Sequence, residues 1–178
     1  MKKYLVIIFI SLLFFNSCKS DKSAKESKSE SGVRQLNLNI GLRAADGTEI
    51  TLERLKGKVL FINFWGSWVI NTQTELNSIK LIADKIKNPE FKIVSISLDD
   101  PYKDEFKTFV SSLDLNYDIF VSPTSANNAE IIKSFPEIKD KIPCYYIIDK
   151  NASIIKYGKE TGNIDEIIKI ISDCLNEK

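Results

Sequence analysis

The chain has 178 residues, a formal net charge of +1 and a hydrophobic fraction of 43%. This composition is typical of a globular protein, and it lacks the excess of positive charge with which proteins bind nucleic acid. The sequence contains no histidine and only three cysteines. Serine–histidine and cysteine–histidine nucleophilic pairs, histidine-ligated metals and four-thiolate metal sites are therefore excluded. We expect neither a cofactor nor a metal ion.

Residues 1–17 have the pattern of a secretory signal peptide. Lys2 and Lys3 precede an apolar run at residues 4–15, which is shorter than the roughly 20 residues needed to span a bilayer. Cys18 then follows a small residue, an arrangement that resembles a bacterial lipoprotein cleavage site. We predict cleavage before Cys18 and attachment of a diacylglycerol to its thiol. An ordinary secretory signal that merely contains a cysteine is the alternative.

Residues 18–32 are predicted to form a disordered polar tether. The stretch after Cys18 is rich in lysine and serine and contains almost no apolar side chain. It cannot bury enough surface to offset the entropy lost on ordering. The folded domain is expected at residues 33–178, where apolar positions become regular, so the lipid and the tether would hold this domain close to a membrane.

Strands joined by helices are predicted along the whole domain. A nearly continuous apolar run at residues 59–65 is typical of a central strand that is covered on both faces, whereas apolar residues three or four positions apart indicate helices. Asp46-Gly47 indicates a hairpin turn, and Asn163 with Glu166 is typical of a capping box. In chain order we expect an N-terminal hairpin, a strand at 59–65, a helix ending near 88, a strand at 91–98, a helix beginning at 101, a strand at 117–121, a short helix at 129–135, strands at 144–148 and 154–157, and a helix at 164–175. This order predicts an α/β fold.

Two distant motifs resemble those of the TlpA/ResA-type thioredoxin-like family. Residues 55–68 resemble the family's opening motif, in which KGK is followed by a strand that ends in NFWAxW. Residues 142–149 resemble the family's GIPTTFLID segment. Members are membrane-tethered thiol-disulfide oxidoreductases of the bacterial envelope. The resemblance implies a thioredoxin-like three-layer sandwich with a mixed central sheet, an N-terminal β-hairpin and flanking helices. It also implies a cis bond between Ile142 and Pro143 that faces the active site.

The four positions that hold Cys-x-x-Cys in the family are Val69, Ile70, Asn71 and Thr72 in this chain. Dithiol exchange needs an attacking thiolate and a resolving thiol, and neither Val69 nor Thr72 supplies one. The resemblance places both residues in the first turn of the helix that follows the buried strand, with Asn71 at the position of the family's proline. We expect a degenerate site without an intact catalytic residue.

Three further residues stand where the family has site residues. Glu75 lies at the spacing of a buried acid that helps proton movement; it is either a remnant of that acid or part of a local capping box with Thr72. Trp65 and Trp68 resemble aromatic residues that shield the family's site, and both are candidates for binding a partner. We expect Trp65 to belong to the core and Trp68 to be half-exposed.

Cys144 directly follows Pro143, so the resemblance places it near the loop that lacks Cys-x-x-Cys. It is either a small buried residue at the start of a core strand or a thiol that forms mixed disulfides with a partner or with glutathione. Cys174 is expected on the polar side of the last helix, and nothing predicts a bridge between the two.

Three functions remain open. The first is a non-catalytic thioredoxin-fold module that binds extended segments of envelope proteins along Ile142 and Pro143, because strand addition needs no cysteine. The second is a divergent thiol oxidoreductase or peroxidase that acts through Cys144 alone. The third is a small-ligand binder that uses the space left by the missing sulfurs. We favour the first, and we expect the protein to be secreted across the inner membrane and anchored through Cys18, facing the periplasm.

Overall fold

The computed structural model describes residues 36–139 and 141–177. Within these residues the chain forms one mixed seven-stranded sheet and four α-helices. The predicted signal peptide at 1–17, the predicted lipid site Cys18 and the predicted tether at 18–32 lie outside the described residues, as do the first residues of the predicted domain. Across the described ranges, none of the helices is both long enough and apolar enough to cross a membrane.

The strands and helices follow one another in the expected order. The strands are β1 (Gly41–Ala44), β2 (Glu49–Thr51), β3 (Val59–Trp65), β4 (Phe91–Ser97), β5 (Ile119–Val121), β6 (Cys144–Ile148) and β7 (Ile154–Gly158). The helices are α1 (Thr72–Lys85), α2 (Asp104–Ser111), α3 (Ser125–Ser134) and α4 (Ile164–Asn176). Short 3-10 turns occupy Leu52–Leu55 and Pro136–Lys139.

The strand order in the sheet is β2-β1-β5-β4-β3-β6-β7. The central strand β3 runs parallel to β4 and antiparallel to β6, and β5 runs parallel to β4. The remaining neighbours pair antiparallel, including the expected N-terminal hairpin of β1 and β2. Gly47 turns this hairpin with a φ of 89°, a left-handed conformation that favours glycine. The mixed sheet is the one that the thioredoxin-like resemblance implies.

All seven residues of β3 are buried, because its side chains alternate between two cores. Phe61 packs with residues of α1 and α4 on one face of the sheet. Phe64 lies in the opposite core with Phe135, which directly follows α3. Trp65 packs with Phe106 of α2 on the same side as α1. The three layers of the predicted sandwich are thus present, and β3 ends at Trp65 in the cluster that also contains Leu76 of α1.

Several elements start at a different residue than expected. Strand β5 begins at Ile119 and not at 117, and helix α3 begins at Ser125 and not at 129. The alternation of Leu36, Leu38 and Ile40 with polar residues predicts a half-buried strand at residues 36–40. These residues do alternate between buried and exposed positions, but the paired strand begins only at Gly41. Helix α2 begins at Asp104 and not at Pro101. The carboxylate of Asp100 accepts a hydrogen bond from the backbone N–H of Tyr102 at 3.0 Å. This turn gives the backbone N–H of Tyr102 a partner outside the helix, so α2 begins later.

The last helix has the predicted N-cap Asn163, but the side chain of Glu166 accepts from Lys156 instead of completing the capping box. The helix also buries an unexpected residue. The side-chain oxygen of Asn163 accepts a hydrogen bond from the backbone N–H of Glu166 at 3.2 Å. Cys174, which we expected on the polar side, is only 4% exposed and packs in the same core as Ile171. The apolar face of α4 is therefore wider than the isoleucine and leucine pattern alone indicated.

Candidate functional site

The site indicated by the family motif lies where β3 ends and α1 begins. Residues 66–71 connect the two elements, and α1 starts at Thr72, so Thr72 lies in the first turn as expected but Val69 does not. Asn71 has a φ of 69°. Proline cannot adopt this conformation, because its ring holds φ at about −65°. Asn71, which the resemblance places at the family's proline, thus directly precedes a helix that starts later than the resemblance implies.

Thr72 has a structural role in this arrangement. Its side chain is buried, and its hydroxyl donates a hydrogen bond to the carbonyl oxygen of Gly66 at 2.8 Å. Of the two alternatives for Glu75, the capping box with Thr72 is therefore wrong, since Thr72 lies inside the helix and the N-cap residue Asn71 makes no side-chain cap. Thr72, which the resemblance places at the family's second cysteine, thus ties the helix to the end of β3.

Glu75 binds a distant loop instead of its own helix terminus. Its Oε2 accepts hydrogen bonds from the backbone N–H of Thr161 at 3.0 Å and from the hydroxyl of Thr161 at 2.8 Å. The half-buried carboxylate borders a cavity of about 10 Å³ that is also lined by Asn63 and Cys144. That volume holds about one water molecule. It offers no room for the small ligand that we considered from the sequence.

Asp99 holds the turn before α1 from the end of β4. Its carboxylate accepts hydrogen bonds from the backbone N–H of Ser67 at 2.8 Å, from the hydroxyl of Ser67 at 2.5 Å and from the hydroxyl of Ser97 at 2.7 Å. Hydrogen bonds to a carboxylate are stronger than neutral ones. Sequence reasoning assigned no role to Asp99 or Ser67. The available signal was a carboxylate placed directly after a buried strand, at the sheet edge where β3 also ends.

The two tryptophans of the motif have opposite environments. Trp65 is 1% exposed and donates its indole N–H to the hydroxyl of Ser95 at 2.9 Å, so it belongs to the core as expected and offers no surface to a partner. Trp68 is 61% exposed. Its ring lies over Gly66, where an added Cβ would come within 2.7 Å of the indole. The glycine in place of the family's alanine therefore permits this position of Trp68.

Trp68 forms one wall of an apolar groove of about 520 Å³. Leu98, Ile132 of α3 and Ile142 line the groove as well, together with the polar side chains of Asn128 and Lys139. Its volume falls within the range of about 300–1,000 Å³ that is typical of ligand pockets. We refer to it as the Trp68 groove. The structure thus brings two predicted binding residues, Trp68 and Ile142, to one surface.

The bond between Ile142 and Pro143 is cis, as predicted. Cys144, the next residue, is 2% exposed and pairs with Phe64 in the register of β6 and β3. Burial, followed by the charge of Glu137, raises the pKa of the Cys144 thiol to about 12. The nucleophilic thiolate is therefore scarce at neutral pH. Cys144 and Cys174 are both free thiols.

The sheet order, the helix that follows β3 and the cis-proline beside them define a thioredoxin-like protein. Throughout the described part of the chain, no group of acidic and cysteine side chains could hold a metal ion. The model of the AhpC/TSA family matches residues 33–157, and the chain belongs to this family.

Individual relatives agree with this family and fold. The chain is 28% identical over 152 residues to the thiol-disulfide oxidoreductase ResA of Bacillus cereus, a match that covers 84% of this chain and 83% of the relative. The structure of a secreted thiol-disulfide isomerase from Corynebacterium glutamicum matches with a TM-score of 0.66 and 21% identity, over 80% of this chain and 86% of the other. The exposed lipoprotein thioredoxin Etrx1 of Streptococcus pneumoniae matches with a TM-score of 0.61 and 22% identity, over 75% of this chain and 97% of the other. These similarities agree with an AhpC/TSA redoxin that has a thioredoxin-like fold.

Proposed function

We propose that this protein is a membrane-tethered module of the bacterial envelope that binds extended segments of partner proteins and does not exchange disulfides. The observation that carries the proposal is the occupancy of the two cysteine positions. Val69 lies in the turn ahead of α1, and Thr72 uses its hydroxyl to bind the carbonyl of Gly66. Neither residue supplies the thiol that dithiol exchange requires.

The burial of Cys144 argues against the alternative enzyme that would act through this residue alone. A thiol attacks a disulfide or a peroxide as the thiolate, and it must also be reachable. Cys144 is 2% exposed and its burial raises the pKa to about 12. Both requirements therefore fail in the folded protein, and binding is the better supported function.

The apolar surface around the degenerate motif supports a role in binding. Trp68 and Ile70 are 61% and 84% exposed, and Ile132 across the groove is 41% exposed. Water contact with such side chains is unfavourable, and tryptophan is enriched among residues that dominate binding energy. Ile142 and Pro143 lie beside this surface, where an extended segment could add as a strand without any thiol.

The proposed envelope location rests on the N-terminal pattern. A positive start, a short apolar run and Ser17 before Cys18 favour export and lipidation. The names of two structural neighbours describe a secreted protein and an exposed lipoprotein. Two or three acyl chains hold a protein firmly on a membrane, whereas one chain holds it weakly.

The tether is tested by fractionating cells that express the wild type or Cys18→Ala. We expect the wild type to sediment with membranes after a salt wash and to partition into detergent, and Cys18→Ala to become soluble. Equal retention of both proteins on the washed membranes would overturn the proposed lipid anchor.

Binding and catalysis are tested separately. We expect no insulin reduction above background from the wild type in the presence of dithiothreitol. A reduced and carboxymethylated lactalbumin, which is unfolded and has no free thiol, serves as a defined extended ligand in a fluorescence anisotropy titration. We expect Trp68→Ala and Ile132→Ser each to weaken its binding about tenfold.

Ile155→Ser is the matched control, because Ile155 is 46% exposed on the edge strand β7 and does not line the Trp68 groove. This variant should bind the unfolded ligand as the wild type does. Thiol-dependent turnover by the wild type would refute the non-catalytic assignment. Equal binding by the wild type and Trp68→Ala would refute the proposed binding surface.

A further inference from the structure

A second crevice lies between α2 and the paired strands β1 and β5. It has a volume of about 500 Å³ and shares no lining residue with the Trp68 groove. Its floor is apolar, with Phe106 and Val110 supplied by α2 and Ile119 and Val121 supplied by β5. We refer to it as the α2 crevice. Such a volume and such a lining are typical of sites that enclose a small organic ligand.

The charged residues that line the α2 crevice are both cations. They are Arg43 from β1 and Lys107 from α2, and no acidic residue lines the crevice. Lys107 pairs with the exposed Asp104 at 3.2 Å, a surface contact that contributes little and leaves the ammonium group available. The crevice therefore combines an apolar interior with two cationic side chains whose carboxylate partners, Glu49 and Asp104, do not line it.

Arg43 is held in place at the mouth by two neighbours. Its Nε and Nη2 donate to the carboxylate of Glu49 at 3.3 and 2.8 Å, and its Nη1 donates to the hydroxyl of Tyr102 at 3.2 Å. A guanidinium has five N–H donors, so two remain for a further acceptor. Tyr102 is 68% exposed and also lines the crevice. The Arg43 side chain is thus fixed before a ligand arrives, which lowers the entropic cost of binding.

We propose that the α2 crevice binds a small amphipathic monoanion, a carboxylate with an apolar body. The body lies against Phe106 and Val110, and the carboxylate accepts hydrogen bonds from Arg43 and Lys107. The pairing of Arg43 with Glu49 leaves too little positive charge for a polyanion, and two cations disfavour a cationic ligand. This site shares no residue with the proposed binding surface at Trp68, so either assignment can fail without the other.

Calorimetric titration of the full chain with octanoate, and with 1-octanol as the uncharged counterpart, tests the proposal. We expect one saturable site that binds octanoate about tenfold more tightly than 1-octanol. Lys107→Gln and Arg43→Gln should each weaken octanoate binding about fivefold, because each removes one charge-assisted hydrogen bond. Lys133→Gln changes an exposed cation on α3, outside the α2 crevice, and should leave the affinity unchanged.

A variant that fills the crevice gives a second measurement. Ala45 is exposed and lines the mouth, so Ala45→Trp should abolish octanoate binding without disturbing the core. Ala129→Trp, at an exposed position of α3, is the control and should bind octanoate normally. The proposal is overturned if no saturable site is found, if 1-octanol binds as tightly as octanoate, or if Ala45→Trp binds octanoate as the wild type does.

Discussion

Thr72, Asp99 and Glu75 connect the start of α1 and the turn before it to three different parts of the fold. Thr72 reaches back to Gly66, Asp99 binds the turn from the end of β4, and Glu75 binds the loop that precedes α4. A buried polar group that loses its partner costs about 1–3 kcal/mol. These side chains therefore determine the shape of the chain between the end of β3 and the start of α1.

Glu75→Ala should lower the free energy of unfolding by about 1.5–3 kcal/mol, because hydrogen bonds to a charged group contribute that much. The substitution also leaves the N–H of Thr161, a residue that is 4% exposed, without its acceptor. Urea unfolding followed by tryptophan fluorescence measures the change.

Glu130→Ala is the matched control for Glu75→Ala. Glu130 forms an exposed pair with Lys133 at 4.0 Å, so its loss should change the stability by less than about 0.5 kcal/mol. Equal effects of the two substitutions would show that the bonds between Glu75 and Thr161 do not stabilise the fold.

Among the elements, helix α1 begins at a later residue than the family motif implies. A helix N-terminus stabilises a thiolate through its free N–H groups and its dipole, and this effect fades within one turn. Asn71 adopts a left-handed conformation directly before Thr72, so Val69 lies outside the helix. A cysteine at the first motif position would therefore lack the stabilisation that activates the family's thiol.

Val69→Cys combined with Thr72→Cys should give a folded protein with insulin reductase activity little above that of the wild type. The thiol introduced by Val69→Cys should keep a pKa of about 8.5, the ordinary value. Thiolate absorbance during a pH titration measures this pKa. A strongly depressed pKa would show that the helix field reaches residue 69. Asn71→Pro added to the pair should lower the pKa and raise the activity, since proline requires a negative φ.

Across the whole molecule, folding buries several tyrosine hydroxyls and cysteine thiols and so raises their pKa values. Desolvation is the first cause for Cys144, Tyr117 and Tyr146. The hydroxyl of Tyr117 also donates to the carbonyl of Leu76 at 2.8 Å, and that of Tyr146 donates to the carboxylate of Glu137 at 2.7 Å. The folded protein therefore keeps these protons at pH values where the unfolded chain releases them.

Stability should fall as the pH rises above about 9, because the unfolded chain then binds fewer protons than the folded one. Below the ordinary pKa values of cysteine and tyrosine, both states hold the same protons, and these groups make no pH-dependent contribution. Thermal unfolding from about pH 7 to about pH 11 measures the trend.

Tyr117→Phe tests the cause of this alkaline loss. Phenylalanine does not titrate, so the variant should lose less stability per pH unit above about pH 9, although it starts from a lower value at neutral pH. An unchanged alkaline slope in both Tyr117→Phe and Tyr146→Phe would show that buried tyrosines do not produce it.

The sequence by itself determined the order of the elements, the buried strand β3, the cis bond before Pro143 and the absence of the motif cysteines. The order of the elements and the burial of β3 follow from local hydrophobic periodicity, and the missing cysteines are read directly from residues 69–72. The cis bond was implied by the resemblance of residues 142–149 to a segment of the family. Only the tertiary structure decided the partner of Glu75, the role of Asp99, the burial of Cys174, and the presence of the Trp68 groove and the α2 crevice. The bond from Glu75 to Thr161 joins residues 86 positions apart, and the α2 crevice exists only where a helix meets two strands. Contacts and cavities of this kind arise from packing, and no local pattern encodes them.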